Sequence, residues 1–127
     1  MYPDLTGLWE GKIFPTSDEP LDVYARIKHS IITLYIDFEG KTFESITLSA
    51  TPLIEKGQQR LHYVYRSESK IPGRASYNGT AILRVGNVKM GKSTTLSLQG
   101  SYHTDRRTVG TIELHKIGSD ANQLVVE

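Results

Sequence analysis

The chain has 127 residues, a formal net charge of +1 and no cysteine. Its length is enough for one buried core. Its net charge leaves no global basic field that could hold a long nucleic acid, and the lack of cysteine excludes disulfides and thiolate zinc sites. No apolar run approaches the roughly 20 residues of a spanning helix, and no signal-peptide pattern is present. We therefore expect one soluble domain over residues 1–127, with 1–4 and 118–127 peripheral.

Apolar residues alternate with period two along most of the chain, which is typical of β-strands. Turn-forming runs such as Pro15–Pro20 and Gly86–Gly91 separate the alternating segments. The pattern predicts strands near residues 5–14, 22–30, 32–39, 43–51, 60–67, 75–85, 94–104 and 109–117. Eight strands without a helix-length gap predict an all-β fold, an antiparallel up-and-down barrel wide enough for one small ligand. A β-sandwich is the alternative.

The first strand carries a tryptophan that we expect to close the barrel. Glu10 and Lys12 should face water, which turns Trp9 and Ile13 inward. The spacing Gly7-x-Trp9 is found at the start of lipocalin-like and avidin-like barrels, where the tryptophan closes one end. A structural plug is the default role for Trp9, and ligand contact is the alternative.

Two central strands can be oriented in two ways. One orientation turns the aliphatic side chains inward, and the other turns the hydroxyls of Ser45, Thr47 and Ser49 toward a polar ligand and leaves Ile46 and Leu48 as an outer apolar patch. Elsewhere, small residues share inner faces with tyrosines, which favours a lined cavity over a filled core. The inward positions predicted from alternation are Val23, Ala25, Ile27, Tyr63, Tyr65, Tyr77, Gly79, Ala81, Leu83, Leu96, Leu98, Gly100, Tyr102, Thr104, Ile112 and Leu114.

Several motifs that suggest catalysis or metal binding fail on context. Residues 86–93 match a phosphate-binding P-loop, but a strand pattern follows where that loop needs a helix. The four histidines are scattered over different strands without metal-ligand spacing. No nucleophile elbow and no pair of carboxylates facing one cavity is found. We expect no enzymatic activity, no metal and no cofactor.

The turn between the last two strands carries the most informative cluster. Tyr102 and Thr104 share a face and precede the adjacent Arg106 and Arg107. Tyrosines can stack on bases and arginines can bind phosphate with two hydrogen bonds. The cluster therefore favours a small ligand with aromatic rings and negative charge, although two solvated turn arginines are the simpler interpretation.

The order of short motifs along the chain resembles one family, the SMODS-associating, two-transmembrane, β-strand-rich effectors of bacterial CBASS anti-phage systems. These motifs are Gly7-x-Trp9-x-Gly11, Ser45-x-x-x-Ser49, Leu61-x-Tyr63-x-Tyr65, Gly79-Thr80-Ala81-x-Leu83 and Gly100-x-Tyr102-x-Thr104-x-Arg106-x-x-x-Gly110. The resemblance implies an eight-stranded barrel that binds a cyclic dinucleotide made by a partner nucleotidyltransferase. It also implies ligand-driven oligomerisation, membrane disruption by two transmembrane helices, and abortive infection.

Two departures from the family pattern qualify these expectations. The transmembrane helices are absent, so we expect a cytoplasmic sensor domain of a protein whose full-length form is in the bacterial inner membrane. Tyr77-Asn78 stands where the family often has a histidine, which leaves the base identity open. The resemblance implies ligand contacts from Tyr63, Tyr65, Tyr77, Tyr102, Thr104, Arg106, Arg107, Ser45, Thr47 and Ser49.

Two other functions stay open. A lipocalin-like carrier of a small apolar molecule would have an aliphatic cavity and would not depend on the arginines. An interaction domain would have a filled core. In each case we expect no DNA or RNA polymer as a partner.

Overall fold

A computed structural model describes residues 2–30 and 33–122. Eight antiparallel strands follow one another in sequence order and close into a barrel. They are β1 (Gly7–Pro15), β2 (Leu21–His29), β3 (Leu34–Glu39), β4 (Phe43–Glu55), β5 (Gln58–Ser69), β6 (Tyr77–Met90), β7 (Ser93–Thr104) and β8 (Val109–Gly118). The predicted all-β barrel is confirmed. Residue 32, at the predicted start of the third strand, lies outside the described residues, as do residue 1 and residues 123–127 of the predicted peripheral segments.

The inner face of the barrel follows the predicted alternation closely. Ile13 and Leu96 are only partly buried and pack against the edge of the core. Most of the other apolar side chains expected inside are buried, including Val23, Ala25, Ile27, Tyr63, Tyr65, Ala81, Leu83, Leu98, Tyr102, Ile112 and Leu114. Strict alternation works because every second side chain of a strand points to the same face of the sheet.

One end of the barrel is closed by the N-terminal segment. Trp9 is fully buried, and its indole Nε1 donates a hydrogen bond of 2.9 Å to the carbonyl oxygen of Leu5. The hydroxyl of Tyr2 donates to the carbonyl oxygen of Arg60 at 2.8 Å, and its ring meets His29 edge-on. The plug position expected for Trp9 agrees with this arrangement.

The join between β3 and β4 differs from the other strand pairs. Only Glu39 and Glu44 are paired in register across it. Further along, side chains replace the backbone ladder. Thr47 Oγ1 accepts from the Ile36 N–H and donates to the Ile36 carbonyl, each at 2.7 Å. Ser45 Oγ accepts from the Phe38 N–H at 3.1 Å. We call this join the β3–β4 seam.

A bulge in β4 resolves the orientation that the sequence left open. Ser45 is buried and Thr47 half-buried, whereas Ile46 and Leu48 are exposed. The register against β5 shifts between Thr47 and Ser49, so that Ser49 is exposed. A bulge adds one residue to one strand and reverses the alternation beyond it. The hydroxyl orientation therefore holds for the first part of β4, while β3 places its aliphatic side chains inside.

Candidate functional site

A cavity of about 300 Å³ opens at the end of the barrel opposite Trp9. We call this end the mouth; it is formed by the connections β1–β2, β3–β4, β5–β6 and β7–β8. The cavity is large enough to hold part of a small-molecule ligand. Its lining comprises Ile13, Pro15, Ser17, Asp18, Leu21, Phe38, Thr42, Phe43, Ser45, Tyr65, Ser67, Ser69, Arg74, Tyr77, Tyr102, Arg106, Thr108 and Ile112.

Two of the cavity tyrosines lie over glycines of the neighbouring strand. Tyr65 pairs with Gly79, and a Cβ built on Gly79 would come within 2.3 Å of Tyr65 Cζ. Tyr102 pairs with Gly110, where a Cβ would come within 2.7 Å of the Tyr102 ring and hydroxyl. Aromatic rings that lie across a glycine in this way stabilise it within a sheet. The glycines thus set the position of both rings along the cavity wall.

The cavity phenols are neutral hydrogen-bonding groups. Burial raises the pKa of Tyr65 and of Tyr102 above the usual value for tyrosine, and the neighbouring Tyr77 adds to both shifts. Both hydroxyls therefore stay protonated throughout the physiological pH range. They present a π-face and a neutral donor to a ligand, without a competing negative charge.

The β7–β8 turn directs one of its two arginines to the mouth. Thr104 Oγ1 accepts hydrogen bonds from the backbone N–H groups of Arg106, at 3.2 Å, and Thr108, at 3.3 Å. The guanidinium carbon of Arg106 lies 4.7 Å from the centre of the Tyr77 ring, a cation–π contact. Arg107 has a positive φ of 64° and is exposed, outside the cavity lining. The turn thus places the guanidinium of Arg106 beside the ring of Tyr77, the first residue of β6.

The ten site residues expected from the sequence divide into two groups. Tyr65, Tyr77, Tyr102, Arg106 and Ser45 are brought together in the cavity lining. Tyr63, Thr47, Ser49, Thr104 and Arg107 are not among the lining residues.

The residues outside the lining have structural contacts of their own. Tyr63 is fully buried, stacks on Tyr65 with 5.1 Å between ring centres, and donates its hydroxyl hydrogen to the Ile36 carbonyl at 2.8 Å. Thr104 shapes the β7–β8 turn, and Thr47 holds the β3–β4 seam. These hydroxyls bind backbone groups of β3 and of the β7–β8 turn and so help to position the elements that line the cavity.

Thirteen of the eighteen lining residues that the structure describes are not among the ten expected from the sequence, and among these thirteen Ser67, Phe43 and Arg74 carry polar or aromatic groups suited to a ligand. Ser67 lies two residues beyond Tyr65 on the same face of β5, so the period-two pattern could have found it. Phe43 begins β4, and Arg74 lies in the irregular connection before β6. Phe43 lies two residues before Ser45, so the period-two pattern also marks it, whereas no periodic signal marks Arg74.

Within residues 2–30 and 33–122, no group of three or more histidine, aspartate or glutamate side chains is arranged to hold a metal ion. In the same ranges no helix has the length and apolar character needed to cross a membrane.

The sequence of the chain matches a known family. A family model described as "Cap15, cyclic dinucleotide receptor domain" matches residues 1–116. The chain belongs to this family. No curated protein matches the chain.

The family description states what this barrel binds. The domain is a cyclic dinucleotide-binding sensor of a CBASS effector, and its ligand is a cyclic dinucleotide. The resemblance stated from the motifs is confirmed by the family match. A cyclic dinucleotide carries two bases and two phosphates, which are the chemical groups that tyrosines and arginines bind.

Proposed function

We propose that the cyclic dinucleotide binds in the mouth cavity, with its bases against the tyrosine rings and its phosphates beside Arg106 and Arg74. The observation that carries this proposal is the stack of Arg106 on Tyr77, 4.7 Å from guanidinium carbon to ring centre, at the rim of a tyrosine-lined cavity. A cation and a ring held together suit a ligand in which a phosphate is linked to a base through one sugar.

The energetics favour bases inside and phosphates at the rim. Stacking of a base on an aromatic side chain contributes roughly 1–3 kcal/mol. A phosphate taken into the barrel would lose its hydration, a cost that the exposed side chains of Arg74 and Arg106 avoid by meeting it at the mouth.

We further propose that the domain binds its ligand without altering it. The described cavity lining contains one carboxylate, Asp18, and no histidine. Its phenols stay protonated, because burial raises the pKa of Tyr65 and Tyr102. Neither an imidazole nor an ionised phenol is therefore available as a general base among these side chains, and Asp18 is exposed at the rim. Chromatography of the ligand after overnight incubation should recover it intact, and a linear dinucleotide product would refute this part of the proposal.

A third part of the proposal is that ligand binding promotes association of the domain with a second copy. Tyr35 on β3 and Ile46 and Leu48 on β4 are 51%, 43% and 46% exposed on the outer face beside the seam. Burying such apolar side chains between two copies would stabilise the associated state. A ligand favours association only by the difference between its affinities for the two states. On the family resemblance, the associated sensor acts at the bacterial inner membrane within a longer protein, and polymeric nucleic acid is not a partner.

Sedimentation velocity with and without saturating ligand tests this association. Leu48→Glu should prevent ligand-dependent association. Ile117→Glu is the control, because Ile117 is similarly exposed at 43% but lies on β8. Association that survives Leu48→Glu would refute the use of this face.

Calorimetric titration and thermal unfolding against cyclic di-AMP, cyclic di-GMP, cyclic di-UMP and cyclic UMP–AMP test the site itself. Linkage predicts about 2.7 kcal/mol of stabilisation at a ligand concentration a hundredfold above the dissociation constant. Tyr102→Ala and Arg106→Ala should each reduce this stabilisation while the domain remains folded; a loss of affinity of about 10- to 100-fold would leave about 0.4–1.4 kcal/mol at the same ligand concentration. Unchanged affinity in both variants would refute the location of the site. A salt-independent response to fatty acids, with none to the nucleotides, would favour the lipocalin-like alternative.

A further inference from the structure

Ser67 differs from the neighbouring hydroxyl residues of the cavity wall. Its side chain is 1% exposed and lines the cavity, yet its Oγ has no hydrogen-bond partner among the described residues. A buried hydroxyl without a partner is uncommon, because burial removes its hydrogen bonds to water and the protein normally replaces them. Nothing in the fold of the described residues accounts for a polar atom at this position.

The neighbouring hydroxyls are already engaged within the protein. Ser45 Oγ accepts from the Phe38 N–H and lies 3.3 Å from the Tyr63 hydroxyl. Ser69 Oγ accepts from the Ile71 N–H at 3.0 Å. A serine hydroxyl has one donor and two acceptor positions. Ser67 therefore offers its full hydrogen-bonding capacity to whatever enters the cavity.

The position of Ser67 relative to the rim indicates which part of a ligand it would meet. Ser67 pairs with Ser45 on β4 and with Tyr77 on β6, so these three side chains form a row across the cavity wall. Tyr77 carries Arg106 on its ring. A ligand with a phosphate at Arg106 and a base against Tyr77 would bring the edge of that base over the next strand, to Ser67.

We propose that the Ser67 hydroxyl hydrogen-bonds a polar atom on the edge of the bound base and so contributes to base selection. This inference rests on the proposed binding site. Arginines that bind the phosphates and tyrosines that stack on the bases cannot distinguish one cyclic dinucleotide from another, because all of them carry phosphates and aromatic bases. A hydrogen bond from Ser67 to the edge of a base can make that distinction. The residue is a ligand contact rather than a part of the structural core.

The test compares affinity with stability in Ser67→Ala. The ligand is the member of the four-compound panel that the wild-type domain binds most tightly. A typical neutral hydrogen bond predicts a loss of affinity of about 3- to 10-fold. The thermal midpoint without ligand should be unchanged or higher, because the substitution removes an unpartnered buried hydroxyl. Ser97→Ala is the matched control, since Ser97 is 6% exposed and lies outside the cavity lining; its affinity should equal that of the wild type.

A ligand-side deletion then identifies the contacted atom. The polar substituents on the base of the same ligand are replaced by hydrogen, one at a time, and each analogue is titrated against both proteins. If Ser67 contacts the base edge, one of these analogues loses affinity for the wild type but not for Ser67→Ala. If coupling appears only with analogues lacking a ribose hydroxyl, the assignment to the base edge is overturned.

The failures of the two proposals are distinguishable. If the wild type binds none of the panel, the proposed binding function fails and the inference fails with it. If the wild type binds and Ser67→Ala binds equally well, the role of Ser67 is overturned while the site stands. A lower thermal midpoint with unchanged affinity would show that Ser67 supports the fold instead.

Discussion

Replacing Thr47 with valine tests whether side chains hold the β3–β4 seam. Valine keeps the shape of threonine but removes the hydroxyl, which is 2.7 Å from both the N–H and the carbonyl oxygen of Ile36. The carbonyl would retain its hydrogen bond from the Tyr63 hydroxyl, at 2.8 Å. The N–H would lose its partner within a residue that is fully buried. Only one of the two groups is therefore left unsatisfied.

The expected cost of Thr47→Val is the cost of one orphaned buried donor, about 1–3 kcal/mol. For a domain of this size that corresponds to a fall in the melting temperature of about 3–5 °C for each kcal/mol. Urea unfolding should show a lower midpoint with an unchanged slope. Thr51→Val is the control, because Thr51 is exposed on the same strand beyond the bulge. A Thr47→Val variant as stable as the wild type would refute the proposed role of the hydroxyl in closing the barrel.

Three further results are expected from the mouth and its tyrosines. Arg106→Ala should weaken cyclic dinucleotide binding about 10- to 100-fold and reduce the salt dependence of binding, both measured by calorimetry. Arg107→Ala, outside the cavity lining, should change neither quantity. Equal losses in the two variants would contradict the assignment of the phosphate contact to Arg106. Gly79→Ala should displace the Tyr65 ring, because the new Cβ would come within 2.3 Å of Cζ, and lower the free energy of unfolding by about 1–3 kcal/mol; a wild-type urea midpoint would argue against that contact. Burial raises the folded-state pKa of Tyr63 and Tyr65, so the contribution of these two phenols to stability should be constant below the unfolded-state value of about 10 and be lost as pH rises beyond it; a urea midpoint that stays level from about pH 9 to about pH 11 would refute this.

The inner face of the barrel could be predicted because it depends on local alternation. Tyr63 and Tyr65 illustrate this, since both are buried as expected. The bulge in β4 could not be predicted, because Thr47-Leu48-Ser49 contains neither glycine nor proline to mark a break in the alternation. The sequence also could not show which of the adjacent Arg106 and Arg107 lines the cavity.

The choice between those arginines depends on the three-dimensional course of the turn. Arg107 has a positive φ where the chain turns back into β8, and the hydroxyl of Thr104 accepts a hydrogen bond from the preceding backbone N–H, that of Arg106. Together these features leave Arg106 against Tyr77. Neither is a property of the residue types alone, since arginine carries no preference for a left-handed conformation. The chemical composition of the mouth was thus predictable, but its arrangement was not.

The two tyrosines that lie across glycines have a consequence for how messenger selectivity can change over evolution. The bore of the barrel depends on Gly79 and Gly110, which fix where the rings of Tyr65 and Tyr102 rest. A methyl group added at Gly79 would move the Tyr65 ring, whereas one added at Gly110 would first meet the backbone carbonyl oxygen of Phe14, at 2.4 Å. On the proposed binding site, a change at Gly79 would alter the space for the bases and leave the arginines at the rim in place. A change of messenger could therefore begin with a substitution at a glycine beside a cavity tyrosine, with Arg74 and Arg106 unchanged.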